Sequence, residues 1–467
     1  MWSISDAATL TAEGTTVFAQ DEIESVQFAQ SNSTLYLAHE NHTPQKLHLS
    51  SGSWQMDSIE PYLVRVKNPD GSDSGVVDDK DNIGMLTAEG DHPRCVAYLY
   101  NRLWFASSIE HPYRLWASRP FKPENFEMYE LVKTVDDSAT AQSIIDAIET
   151  GDESITITTS YKWTKTIRED NAMLLDAQSN DAIRWLASYG NLVVGTSSGE
   201  SIISGSCNAL NQSLTAISAY GSAEGRQAIV ANSEVLFLQS GANTLRSLVY
   251  SSGSYSVLDL TYQCDRILDE HGSAVRMAWR RVSNPTLYVT LKDGTLAVLS
   301  YDRGYGLCAW SHWTFTGAKI KDVCILDTEQ GQDVIMLVDR SGVLSLEKLS
   351  NVDAAEGLEV QYKDCGLYEY TSTIKTNPYE VNSSYYGSSL GKKKRMRSIT
   401  CRLYNSKSFI AGYDERYMKP YSGSVGLMDK EIVLPGGYED FVQMKVSSSG
   451  SDALTILAFA VETEVDR

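Results

Sequence analysis

Three histidines, His39, His42 and His48, carry the imidazoles that a transition-metal site would use. Their spacings of three and six fall on a strand, a turn and a second strand. Side chains alternate across a strand, so this spacing does not bring three imidazoles to one side, and we expect no metal site from them. The loop 67–90, NPDGSDSGVVDDKDNIG and its flanks, offers Asp70, Asp73, Asp78, Asp79 and Asp81 as oxygen ligands. It lacks the spacing and closing glutamate of an EF-hand loop and reads as a solvated acidic insertion. Gly195-Thr196-Ser197-Ser198-Gly199 is a formal G-x-S-x-G. A nucleophile elbow needs strand, turn and helix. Leu192 to Val194 and Ser201 to Ile203 both read as β, so the glycines serve a hairpin and Ser197 is not expected to be a nucleophile. Arg102 and Arg119 flank aromatics on which they could stack, in a stretch that reads as blade architecture rather than a binding site. The dense basic run holds Lys392, Lys393, Lys394, Arg395 and Arg397. Lying just before a strand, it reads as a solvated edge or a subunit contact on acidic neighbours rather than as a grip on DNA, though it is the one stretch that resembles a polyanion site. No catalytic, cofactor-binding or metal residue is assigned, and no cofactor is expected.

Composition narrows the classes. The 467 residues hold 40 Lys and Arg against 60 Asp and Glu, a formal charge of −20. A nucleic-acid binder normally presents a basic face, which this balance argues against. Such acidity keeps a protein soluble, or lines a passage along which DNA slides without sticking. Seven scattered cysteines with no C-x-x-C pair fit reduced core thiols better than a disulfide framework or zinc site. MWSISDAATL has no basic or apolar signal region, and no apolar run is long enough to span a bilayer, so neither secretion nor a membrane span is expected.

The elements that would position these residues are short strands. From Leu287 a strand turns at Asp293-Gly294, a second runs from Thr295 to Tyr301, and a third carries Trp310 and Trp313. Such a meander leaves one face unburied unless similar sheets pack beside it, as propeller blades do. Related units recur through the chain: Thr34 to His39; Val96 to Asn101 with Leu103 to Ser107 and Arg114 to Ser118; Val235 to Gln239 with Thr244 to Tyr250. Helical signals are short, at Thr140 to Thr150, where Ile144, Ile145 and Ile148 share a face, and within DLTYQCDRIL. The expected fold is all-β: an irregular β-propeller with a β-rich, platform-like C-terminal domain and short helical insertions. Residues 1–350 form the propeller-like domain, with an acidic insertion near 67–90 and a mixed one near 136–180. Residues 351–467 form the C-terminal domain.

The run DGTLAVLSYD followed by AWSHWTFTG resembles the tail nozzle (tail tubular, or packaged-DNA stabilisation) proteins of short-tailed bacteriophages. The likeness is collinear from about Gln27 to Glu464. It includes VQFAQSNSTLYLAHENHTPQKLHL, then Pro93 with Arg102-Leu103-Trp104-Phe105, Leu115-Trp116 and Asn125-Phe126. It continues through DAIRWLASYGNLVVGTSSGESIISG and VLFLQSGANTLRSLVY, and on into the C-terminal strands. Ser300 replaces the usual Thr, and His312-Trp313 the usual Arg-His. The resemblance implies a structural, non-enzymatic virion protein of the tail, assembled in the host cytoplasm. It would form a homohexameric ring below the portal-adaptor (head-tail connector) proteins, with tail fibre or tail needle proteins as neighbours. Double-stranded DNA would be retained in its channel and conducted at ejection without sequence-specific binding, past an acidic wall. Family members commonly carry an extra N-terminal region before the segment at Gln27, and its near absence here leaves the mode of docking on the adaptor open. The C-terminal domain would make the ring or adaptor contact. The alternative is a propeller that binds or degrades glycans on the host surface, which for hydrolysis needs two carboxylates about 5–10 Å apart. A cellular scaffold propeller would instead be monomeric, with regular repeats.

Overall fold

In the computed structural model of the chain, tight turns at positive φ cut the sequence into short strands. At Asp293-Gly294 the chain reverses with Gly294 at φ +91°, its N–H bonded to Leu291 O at 2.9 Å. Tyr100 and Asn101 sit at +54° and +57°, the primed turn that matches the right-handed twist of paired strands. The structure describes residues 2–4, 10–12, 15–59, 62–67, 73–77, 86, 89–135, 161–177, 180–205, 207–282, 285–315, 317–328, 331–349, 371–380, 382–383, 387–413, 417–449 and 454–466. The acidic loop with Asp70, Asp78, Asp79 and Asp81, and the helix expected at Thr140 to Thr150, lie outside these residues. Asp73 opens the strand Asp73–Val77.

Five four-stranded antiparallel sheets follow one another along the chain. Blade 1 is Gln27–Ser31, Thr34–His39, His42–Ser50 and Ser53–Ser58. Blade 2 is Cys95–Leu99, Arg102–Ala106, Arg114–Ala117 and Met173–Asp176. Blade 3 is Ile183–Tyr189, Asn191–Thr196, Glu200–Ile203 and Thr215–Ser218. Blade 4 is Ile229–Ala231, Glu234–Leu238, Leu245–Ser251 and Ser254–Asp259. Blade 5 is Ala274–Arg280, Thr286–Leu291, Leu296–Asp302 and Leu307–Trp313. The first strands of neighbouring blades pack side by side from blade 1 to blade 5, and all five line one axial channel. This is a β-propeller, irregular in its turns and insertions.

Period-two alternation feeds the gaps between blades. In Arg102–Ala106, Leu103 and Phe105 enter the core shared with Tyr36 and Ala38 of blade 1. Trp104 and Ala106 enter the core shared with Ile183, Leu192 and Val194 of blade 3. Likewise Val235 and Phe237 pack on Trp185 and Val193, while Leu236 and Leu238 pack on Leu287 and Val289. A central strand buried on both faces therefore reads as an unbroken apolar run, and each large side chain adds about 1.5–3 kcal/mol of burial.

Blade 2 is interrupted. After Arg114–Ala117 the chain leaves to form Asn125–Val135 and Tyr161–Thr166, then returns with Met173–Asp176 as the fourth strand. The excursion builds a separate sheet with Tyr62–Lys67 and Asp73–Val77, in which Tyr62–Lys67 runs parallel to Asn125–Val135. The helical stretch expected within DLTYQCDRIL is instead a series of turns over 260–272, with bonds such as Cys264 N–H to Thr261 O at 2.8 Å. Leu268, buried at its centre, joins the core between blades 4 and 5.

The chain divides into two compact units: Met1–His312 with Asp322–Gln332, and Trp313–Lys321 with Asp333–Arg467. Within the second, a four-stranded sheet (Thr371–Lys375, Lys445–Ser449, Ser408–Gly412, Lys419–Ser422) and a three-stranded one (Leu427–Val433, Lys394–Tyr404, Thr455–Val465) share a core. Met396, Ile399, Cys401 and Leu403 meet Phe409, Ala411 and Val446 there, as in a β-sandwich. The six described cysteines are free. Cys95 and Cys401 are buried, but Cys264, Cys308 and Cys324 are exposed, so core burial accounts for only part of the set. Among the described residues no helix is long and apolar enough to cross a membrane.

Candidate functional site

The axial concavity of the propeller, lined by the first strands of all five blades, has a volume of about 310 Å³. Its wall comes from the innermost strand of each blade: Gln27 and Ala29, Ala97, Ala187, Ala228 and Ile229, Val275 and Met277. Small and apolar side chains dominate because five strand backbones converge on the axis. At one end Glu24 and Arg276 supply charge.

Beside that mouth, ion pairs join four blades. Arg94, just before blade 2, pairs with Glu40 of blade 1 and reaches Glu224 at 3.1 Å. Arg184 of blade 3 pairs with the same Glu224, before blade 4, at 2.5 Å, while Gln27 Nε2 donates to Arg184 O at 2.6 Å. Burial opposes ionisation of Glu224, but the Arg184 and Arg94 guanidiniums outweigh it and hold its carboxyl below the ordinary value. A carboxyl held ionised in this way is the opposite of a general acid. On blade 5 the Arg276 guanidinium donates to the carbonyls of Ile23 and Val26, and lies 3.8 Å from Asp322. These side chains stitch the ring around its axis.

The basic run is only partly a surface. Lys394 is 2% exposed, its ammonium bound to Glu380 at 2.6 Å, so it is withdrawn from any external contact. Its hydrogen bond, with help from Ser389, lowers the Glu380 carboxyl. Arg397 pairs with Glu464 at 2.6 Å on the neighbouring strand, and Arg395 is half-buried. Lys392 and Lys393 are exposed. Among the described residues, neither Arg102 nor Arg119 stacks on an aromatic ring. Arg102 is buried against backbone carbonyls, and Arg119 pairs with Glu127 and Asp170.

Ser197 lies in the turn between Asn191–Thr196 and Glu200–Ile203, which pair with Gly195 opposite Glu200. Its hydroxyl and that of Ser198 face Asp181. The first glycine of the G-x-S-x-G has a packing reason: a Cβ at Gly195 would stand 2.1 Å from Trp185 Cε2. Trp185 is fully buried against Phe237 and has nowhere to retreat. Gly195→Ala is therefore expected to destabilise the propeller by about 3 kcal/mol, at the upper end of overpacking costs. Ser197→Ala should change stability by less than about 0.5 kcal/mol. Denaturant midpoints measure both.

The histidines depart from expectation in one respect. His48 turns away to Asp57 at 2.7 Å, but His39 and His42 converge, and Glu22 from the preceding turn joins them. A register shift in the hairpin between Leu37 and His39 places His39 opposite His42, which strict alternation did not reveal. Glu22 carried no motif; only the folded entry turn brings it there.

No family model and no curated protein matches the sequence. Solved structures similar to the chain include the Neurospora crassa Pan2 WD40 domain, at 8% identity and TM-score 0.35, covering 69% of this chain and 87% of that one. YCF48 bound to D1 peptide is similar at 9% identity and TM-score 0.35, covering 74% and 88%. The exo-β-1,3-galactanase of Phanerochaete chrysosporium is similar at 13% identity and TM-score 0.27, covering 99% and 100%. Likenesses this distant carry nothing about chemistry, and the propeller assignment rests on the strand order.

Proposed function

We propose that the chain is a structural virion protein, a subunit of the tail nozzle or hub ring of a short-tailed phage. In this reading it extends the portal-adaptor channel, retains packaged DNA and conducts it at ejection. The observation that carries it is the match between resemblance and architecture. The stretches that resemble the nozzle family fall on all five blades: VQFAQSNSTLYLAHENHTPQKLHL on blade 1, RLWFA with RLWAS on blade 2, IRWLASYGNLVVGTSSGESII on blade 3, VLFLQSGANTLRSLVY on blade 4 and LYVTLKDGTLAVLSYD with AWSHW on blade 5. The role is architectural rather than catalytic.

The axial channel bounds the mechanism. At about 310 Å³, between small apolar walls, it has room for roughly ten waters. It cannot admit a duplex whose major groove alone is about 12 Å wide. DNA would therefore pass between subunits, along a conduit walled by several propellers. With −20 per chain, an acidic wall repels the phosphates and replaces counterion-release binding with slippage.

Mass photometry tests the reading. A stable species near six times 51.6 kDa, alone or with its connector, is the expected result. A monomer that persists with connector present would refute the ring, and hydrolysis of host polysaccharide by the purified chain would favour the glycan alternative.

A further inference from the structure

We propose that Glu22, His39 and His42 form a binding site for a zinc-class divalent metal ion, which clips the entry turn of the chain to blade 1 where the propeller closes. One ligand atom from each lies within 4.8 Å of the others. His42 Nε2 is 2.6 Å from Glu22 Oε2, and His39 Nδ1 is 3.9 Å from Glu22 Oε1. Zinc bonded at about 2.0–2.2 Å holds neighbouring ligand atoms about 3.3 Å apart. Replacing the proton between His42 and Glu22 by the ion thus opens that contact by under about 1 Å and closes the gap to His39.

The surroundings orient the ligands as metal sites require. The Ser25 hydroxyl donates to Glu22 O at 2.8 Å, so its lone pairs are left to accept from His39 Nε2–H at 3.0 Å. That fixes the tautomer and leaves the Nδ1 lone pair of His39 facing the cluster, met among the described residues by a long 3.3 Å contact from the Asn41 N–H. Glu22 is held by Asn41 Nδ2 at 2.8 Å and the Ala19 N–H at 2.9 Å. The Phe18 ring stands edge-on to both imidazoles, with centroids 5.3 Å from His42 and 6.2 Å from His39. Two imidazoles and one carboxylate select a borderline transition metal over calcium or magnesium, which take oxygen ligands in larger number. A water completes a tetrahedral set.

The location gives the ion a task. Each blade supplies its own four strands, so among the described residues no strand from one end of the chain completes a blade from the other. At the seam, Arg276 of blade 5 reaches the carbonyls of Ile23 and Val26, directly after Glu22. Fixing Glu22 to the His39–His42 hairpin fixes those carbonyls for Arg276.

The test uses the full chain, stripped by chelator and titrated with zinc by calorimetry and with cobalt(II) by absorption. Equimolar zinc binding is expected, with no heat from calcium or magnesium at the same concentration. The cobalt spectrum should show d–d bands without thiolate charge transfer, which separates this site from the exposed Cys264, Cys308 and Cys324. Glu22→Gln and His42→Gln, at part-exposed positions, should each weaken binding by more than about 10-fold, and the positioning change Ser25→Ala by about 10-fold. Zinc should also slow amide exchange at 23–26. Absent equimolar binding, a thiolate cobalt spectrum, or unchanged affinity in His42→Gln would overturn the site. Unchanged exchange at 23–26 would overturn its role at the seam.

Discussion

Glu234→Ala is expected to lower the stability of the propeller by about 3–5 kcal/mol. Glu234 opens the second strand of blade 4 and is nearly enclosed, yet it accepts hydrogen bonds from several groups at once. Arg303 of the blade 5 turn reaches its two oxygens at 2.5 and 3.1 Å, Tyr301 OH donates at 2.8 Å, and the Ser247 hydroxyl donates from the adjacent strand. Burial, reinforced by the Glu234 carboxylate, pushes the Tyr301 phenol up to about 12, so it stays a donor throughout the physiological range. Truncation leaves Tyr301 OH and the fully buried Ser247 hydroxyl without this acceptor, and each such loss costs about 1–3 kcal/mol. Arg303 contributes less, since it is exposed and regains water. Glu234→Gln keeps an acceptor of the same shape and should cost about half as much. Urea unfolding followed by tryptophan fluorescence distinguishes the variants; equal and small effects would show that the carboxylate does not clasp blade 5 to blade 4.

The blades were legible because their signals are local. Thr34–His39 begins and ends where its alternation predicts, and Asp293-Gly294 marks its hairpin unaided. Central strands such as Arg102–Ala106 and Glu234–Leu238 announce themselves as apolar runs between turn residues. What stayed hidden depends on distance along the chain. Nothing near Met173–Asp176 says that it completes a blade begun at Cys95–Leu99, because the pairing partner of a strand is not written in its own pattern. The parallel pairing of Tyr62–Lys67 with Asn125–Val135 is equally nonlocal. Side-chain clusters fared worst. Lys394 reads as one cation in a basic run, yet it starts a strand in which it and Met396 face inward while Arg397 points out, so it is buried on Glu380. The convergence of His39 and His42 required a register shift, and that of Glu22 a turn whose own residues carry no metal signal.

Arg102 is where local and nonlocal structure meet, and Arg102→Met is the sharpest probe of how the interrupted blade is completed. Its guanidinium is buried and faces backbone oxygens: Nη1 donates to Ser118 O at 2.6 Å and Asn171 O at 2.8 Å, Nη2 to Glu169 O at 3.2 Å. Burial lowers its basicity, but an arginine remains charged in a protein and so keeps all its donors. Ser118 directly follows the third strand of blade 2, while Glu169 and Asn171 lie where the chain returns from the inserted sheet. Asn171 is itself anchored to Glu127 O at 3.2 Å, and its side chain accepts from the Arg168 N–H at 2.6 Å. One cation thus ties the departure of the insertion to its return and delivers Met173–Asp176 to the edge of the sheet. Methionine keeps the volume and removes the donors, stranding the carbonyls of the buried Ser118 and Asn171 while that of the exposed Glu169 regains water, at a cost of about 3–5 kcal/mol, or roughly 6–10 °C in Tm. Because the loss is local, amide exchange at 173–176 should accelerate well before that of Glu234–Leu238 in blade 4. Uniform acceleration across both blades would mean that Arg102 supports the whole propeller rather than the strand that closes blade 2.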